Sequence, residues 1–285
     1  MRFTLFLLAV LLAGCAHQPS RQDALLTPAL TPEERAALTL RRGDYREALR
    51  LYGEILQEKP QRRIALIGSG EALLGLGEAR PALATFEQVL RADPDDAEAL
   101  LGSGLALLGL HEYARAEVQL ETARAAHPQS WRTLNGLGLV ADMRGRFAEA
   151  QVWYEKALQL NDNEPSIYNN YGYSLIMAGE YYRAELLLNQ ALARAPDNER
   201  IRNNLMQAVA WQGEYERAIG LRGDMPQHVA LNNVGYIAAL RQDHRQAARL
   251  FQQALDVSPS WYRTAAANLE RLRLNPPASS ATAKR

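Results

Sequence analysis

Small residues return along this chain every 34 positions, each set in an apolar stretch. Gly70, Gly104, Gly138 and Gly172 form one row. It extends backwards to Ala36 and forwards to Met206, then to Gly235 after a shorter step of 29 residues. A second row keeps the same phase: Ala48, Ala82, Ala116, Ala150, Ala184, Ala218 and Ala247. Polar breaks recur as regularly. A turn follows each first row, as Gly43-Asp44-Tyr45, Gly145-Arg146-Phe147, Gly179-Glu180-Tyr181 and Gly213-Glu214-Tyr215, and proline closes most periods at Pro60, Pro94, Pro128, Pro196 and Pro259, with Asp162 in its place once. A fixed period of this length overrides element-by-element reading. Each period predicts two helices joined by a tight turn.

Each row has a physical task. A small residue at a helix crossing lets two backbones approach closely. Glycine in the middle turn adopts the left-handed conformation that ends a helix. The aromatic two residues later fills the gap between helices, as do Tyr52, Phe86, Tyr154 and Phe251 further along. Proline ends the second helix because it lacks an amide donor and disfavours a helical predecessor. The three rows and the turn resemble the tetratricopeptide repeat over about residues 29 to 259. That resemblance implies an all-α, right-handed solenoid of about seven helix pairs, with units starting near 29, 63, 97, 131, 165, 199 and 228, in which neighbours bury a face that one pair cannot bury alone.

Departures from the pattern carry their own expectations. His111 replaces the turn glycine of the third unit, and Gln242 and His244 replace Gly and Tyr in the last. The sixth unit lacks five residues: after Ala218 comes Ile219-Gly220-Leu221-Arg222-Gly223-Asp224-Met225-Pro226. Two glycines and a proline there predict a shortened second helix and a bend or hinge. Ser260 to Leu274 has the length and spacing of one capping helix, and residues 275–285, which begin Asn275-Pro276-Pro277, read as a disordered tail.

In such solenoids the first helix of each pair lines the concave face. Four successive first helices carry asparagine at matching places: Asn135, Asn169-Asn170, Asn203-Asn204 and Asn232-Asn233. An asparagine amide offers a donor pair and an acceptor, matching a peptide unit's own groups. A ladder of them is a candidate grip on an extended protein chain, with Tyr173, Tyr236, Met177 and Trp211 beside it as apolar contacts. The same asparagines also suit hydrogen bonds between helices.

Catalytic chemistry is hard to find. His17, His111, His127, His228 and His244 are scattered over different units without metal-ligand spacing. No Gly-rich phosphate loop, nucleophile elbow or strand to mount one is present. The acidic residues alternate with Arg and read as solvated i,i+4 pairs on helix surfaces. Basic and acidic residues balance at 32 each, which leaves no electrostatic footprint for nucleic acid. No catalytic residue, metal or cofactor is expected, and the chain reads as a binding protein, its oligomeric state undetermined by these patterns.

The first 28 residues tell where it acts. Met1-Arg2 and the apolar run Phe3 to Ala13 are too short for a membrane span and read as a signal peptide, 1–14. Leu12-Ala13-Gly14-Cys15 then resembles the bacterial lipobox, and Cys15 is the only cysteine in the chain. The resemblance implies a covalent lipid on Cys15, and several acyl chains hold a protein where one binds only marginally. Ala16, in place of the Asp of inner-membrane retention, implies the periplasmic face of the outer membrane. His17 to Pro28 is a polar tether with two prolines, completing a lipidated segment, 15–28, ahead of the repeat domain, 29–274.

A finer resemblance rests on Asn169-Asn170-Tyr171-Gly172-Tyr173-Ser174-Leu175-Ile176-Met177-Ala178-Gly179, on Ile201-Arg202-Asn203-Asn204-Leu205, on Ala230-Leu231-Asn232-Asn233-Val234-Gly235-Tyr236 and on Ser258-Pro259-Ser260-Trp261-Tyr262. These stretches, and the layout of lipobox, tether, repeats, short sixth unit and cap, are similar to the TadD family of tight adherence (Flp) pilus assembly lipoproteins. That implies a pilotin-like role: the lipid holds the rod at the outer membrane, and the rod helps the pilus secretin assemble there. A type IV pilus pilotin and a periplasmic adaptor for cell-wall enzymes share the plan of lipid plus repeats and stand as alternatives.

Overall fold

The computed structural model describes residues 30–258, 260 and 262–274. The signal peptide, Cys15, the tether, Pro259, Trp261 and the tail from 275 lie outside the described residues. Those described form fifteen helices and no strand: α1 (Pro32–Arg41), α2 (Tyr45–Glu58), α3 (Arg63–Gly75), α4 (Ala79–Ala92), α5 (Ala97–Gly109), α6 (Tyr113–Ala126), α7 (Trp131–Met143), α8 (Phe147–Leu160), α9 (Pro165–Met177), α10 (Tyr181–Arg194), α11 (Glu199–Trp211), α12 (Tyr215–Gly220), α13 (Gln227–Leu240), α14 (His244–Asp256) and α15 (Arg263–Leu274). Odd-numbered helices up to α13 are first helices of their units, even-numbered ones second helices, and α15 is the cap. The cap begins at Arg263, three residues later than the expected Ser260.

The helices start and stop for local reasons. Thr31 closes a capping box on α1, with its hydroxyl on the Glu34 amide and the Glu34 carboxylate on the Thr31 amide. Asp96, Ser130 and Asn198 cap α5, α7 and α11 from their side chains. The middle turns take positive φ at Gly43, Gly77, Gly145, Gly179 and Gly213. His111 and Gln242 adopt that same left-handed backbone without being glycine, at φ 62° and 65°. Such a conformation costs about 1–2 kcal/mol.

Packing follows the small-residue rows. A Cβ placed on Gly70 would sit 2.5 Å from the Phe86 ring, on Gly104 2.6 Å from Leu120, on Gly138 2.6 Å from Tyr154 and on Gly172 2.6 Å from Leu188. The first helix thus yields its volume to one large side chain of the second. Those four, and Phe251 in the last unit, are all but fully buried. The sixth unit inverts this. Met206 replaces the glycine and is 2% exposed, so the bulk comes from the first helix, while Arg222, past the end of the second, stands where other units have a Leu or aromatic.

That inversion accompanies a truncated second helix. α12 has 6 residues where α10 has 14, and Leu221 to Pro226 return directly into α13. Among the described residues, the backbones of successive first helices approach within 8 Å throughout, from α1 on α3 to α13 on α15, whereas those of second helices do not. The first helices therefore line the inner, concave side. Long side chains bridge the outer gaps, as in Arg217–Glu185 and Arg249–Glu216. Among the described ion pairs only Arg50–Glu54 is spaced i,i+4; the others are i,i+3, join different units or, as Arg62–Glu33, span the length of one, so the charges lace repeats together more than the sequence pattern implied. At Asp96 the pattern also misleads. Its side chain is 2% exposed, and burial pushes its carboxyl up, but the Arg63 guanidinium and the α5 amides hold it below its ordinary value.

Two stability tests follow. Gly138→Ala should cost about 1–3 kcal/mol, because the Tyr154 ring is enclosed and its hydroxyl is tied to Asp142 at 2.7 Å. Gln242→Gly should gain about 0.5–1 kcal/mol, the relief of left-handed strain less the added backbone entropy of glycine. Urea unfolding of each variant against the parent measures both.

Candidate functional site

The asparagines of the concave side are fastened to one another. The Asn170 amide donates to the Asn135 carbonyl at 3.1 Å, Asn204 donates to Asn169 at 2.9 Å, and Asn268 of the cap donates to Asn232 at 3.0 Å. Each bond joins one first helix, or the cap, to the first helix before it. Asn169, Asn204 and Asn232 are buried. At the junction of units six and seven the series breaks. By register Asn233 should donate to Asn203, but its amide reaches only the Met225 sulfur at 3.9 Å. Among the described residues the Asn203 side chain has no hydrogen-bond partner. Here α13 packs on α11 across the shortened unit without that bond.

A cavity of about 510 Å³ opens where that bond is missing. It lies on the concave side between α11, α13 and α15, lined by Asn203, Met206, Gln207, Asn233, Tyr236, Ile237 and others, with Met225 of the return loop as one wall. Its lining holds no charged side chain. Tyr236 is 50% exposed and stands at the mouth. A smaller cavity of about 250 Å³ adjoins it, shares Asn203 and Met225, and is charged by Glu199, Arg202, Arg222 and Asp224.

Of the residues singled out from sequence, the cavity gathers Asn203, Asn232, Asn233 and Tyr236. It does not gather Asn135, Asn169, Asn170 or Asn204, which serve as fasteners between helices. Tyr173 is exposed on α9, apart from the cavity. Trp211 does not line the cavity; its ring stacks on Tyr181 with centroids 5.4 Å apart and planes 8° apart, between units five and six. Sequence reasoning missed Met206, Gln207, Met225, Thr264 and Asn268. The signal was present in Met206, a large residue in a glycine row.

A half-buried carboxyl lies in the contact between units four and five. Asp142 at the end of α7 accepts from Tyr154 Oη at 2.7 Å and from Ser174 Oγ of the next unit at 2.6 Å. Burial pushes its carboxyl above the ordinary value, against the two hydroxyl bonds that pull it down. Among the described residues, no three His, Cys, Asp or Glu side chains come together as metal ligands.

The fold and the concave cavity define a helical-repeat scaffold of the kind that mediates protein–protein contacts. Residues 39–101 and 143–203 match one family described as tetratricopeptide repeat, and residues 101–165 match a second of the same description; the chain belongs to the tetratricopeptide-repeat proteins. No curated protein matches it in sequence. Among solved structures it is similar to TTC0263, a thermophilic TPR protein of Thermus thermophilus, at 23% identity and TM-score 0.58 over 62% of this chain and 97% of that one. It is similar to PilW, a type IV pilus biogenesis factor, at 20% identity and TM-score 0.57 over 67% and 88%. It also resembles the APC/C hetero-tetramer Cut9-Hcn1, at 15% identity and TM-score 0.66 over 84% and 48%. At these identities the likeness concerns the fold alone.

Asp142 has a definite pH signature. Its raised folded value means that its contribution is fully present below the unfolded carboxylate value and is lost as pH rises through the folded one. The stability difference between the parent and Asp142→Asn should therefore shift against the parent as pH rises from acid through that value. Urea titrations at a series of pH values measure it, and a pH-independent difference would contradict the assignment.

Proposed function

We propose that the protein is a lipid-anchored scaffold on the periplasmic face of the outer membrane that binds protein partners and supports assembly of a tight adherence (Flp) pilus, acting like a pilotin on its secretin. The observation that carries the binding half is the neutral concave cavity at units six and seven, the place where the inter-helix asparagine series is open. The lipobox at Cys15 and the stretches similar to TadD carry the rest. No helix among the described residues is long and apolar enough to cross a membrane.

The fold shared with PilW favours a second reading, a pilotin-like role in a type IV pilus system. The adaptor for cell-wall enzymes has no comparable support.

A strain lacking the gene should lose Flp pili and secretin multimers while type IV pili persist. Cys15→Ser should give a folded, soluble rod that fails to restore assembly through mislocalisation, read by membrane fractionation and heat-resistant secretin multimers on gels. Normal secretin multimers in the deletion strain would refute the pilotin role, and full activity of soluble Cys15→Ser would remove the anchor from it.

A further inference from the structure

The break in the asparagine series points to what enters it. At the other fastened junctions one Asn donates an amide hydrogen and its neighbour accepts it. At the junction of units six and seven, the Asn233 donor and the Asn203 acceptor both line the cavity with no such partner. A main-chain peptide group carries one acceptor and one donor, the complement of that separated pair. Gln207 adds a second amide beside Asn203 and forms no hydrogen bond among the described residues.

The walls specify the rest. Met206, Met225, Ile237 and the Tyr236 ring supply the apolar surface, and two of the four are methionine, which adapts to unbranched and aromatic side chains alike. No cation lines the cavity, so nothing there neutralises a carboxylate. A chain terminus or an acidic side chain would lose its hydration without compensation. The adjoining cavity balances Arg202 and Arg222 against Glu199 and Asp224 and favours neither sign.

We propose that this cavity binds an internal, uncharged stretch of an extended partner chain, whose peptide group bridges Asn203 and Asn233 and whose long apolar side chain, of the Leu, Met or Phe type, fills the space between Met225 and Tyr236. The proposal rests on the reading of the chain as a partner-binding scaffold and names the class of segment it takes. The bridge reproduces, through the partner's backbone, the fastening that the shortened sixth unit leaves open. Binding then also ties unit seven to unit six.

The test is a selection of peptides displayed with both ends blocked by flanking sequence, carried out on the full processed chain, followed by affinity measurement on synthetic acetylated, amidated winners. Enriched peptides should share one Leu, Met or Phe flanked by uncharged residues. Replacing that residue by Asp, or trimming the peptide to place a free carboxylate beside it, should weaken binding by about tenfold or more. Asn233→Asp removes the donor and Asn203→Leu the acceptor, both at half-buried positions, so circular dichroism should be unchanged while affinity falls about tenfold. Met225→Asp should do the same, whereas Tyr173→Ala, outside the cavity, should not. Selection of carboxylate-terminated or acidic peptides, absence of any enriched peptide, or winners insensitive to the Asn203 and Met225 variants would overturn the proposal. The pilus role is read separately in the deletion strain. Its failure with neutral peptides still selected changes the process served and leaves the site standing.

Discussion

One steric exchange organises the whole rod: the first helix of a unit gives up a side chain, and the second fills the space with a single large one. Gly70 with Phe86, Gly104 with Leu120, Gly138 with Tyr154 and Gly172 with Leu188 all repeat it, each with room for the ring or the branched chain only because no Cβ is there. Close packing at this contact fixes the distance and angle within each pair. The pair then presents its apolar sides to its neighbours, and stacking propagates. Because a core of this kind tolerates neither void nor overlap, the bulk removed from one side must reappear on the other.

Unit six shows that compensation at work. The second helix stops at Gly220, and the large residue it should bring is absent. Met206 supplies volume from the first helix instead. The repair holds the core but not the hydrogen-bond register, and the concave asparagine series opens at that joint. The candidate site is thus a by-product of a packing substitution. Its walls are neutral because amides and a threonine hydroxyl line it beside the buried Met206 and Ile237 and the half-exposed Tyr236.

Most of the fold was legible from the sequence because its determinants are local and periodic. Small residues, turn glycines and closing prolines each act within one unit, and the structure keeps their frame to within a few residues, the late start of α15 being one departure. His111 and Gln242 were legible as exceptions, and their positive φ shows that the turn geometry is imposed by the stack and not by the residue. The site was legible only in part. Identical asparagines serve as fasteners, as cavity wall or, like Asn232 with Asn268, as both, and the role each takes depends on the offset between neighbouring units. That offset is set by three-dimensional stacking across the shortened unit. Met225 belongs to an irregular loop with no period, and Asn268 and Thr264 lie on a cap beyond the repeat frame.

The buried residues form end-to-end clusters along the rod, not one mass. Ala36 to Ala72 make a small cluster across the first two units, Leu66 to Ala106 a second, and Leu100 to Leu269 contain the largest, with Tyr168, Ala191 and Ile201 as a small satellite beside it. A rod of this kind carries load in series. Held at its first unit and pulled from its sixth and seventh, it transmits the same tension through every interface in between, and extension begins at the held end, where the first unit is packed on one side only and through a small cluster. The first repeat then acts as a compliant spring, and the far end keeps its shape while the near end stretches.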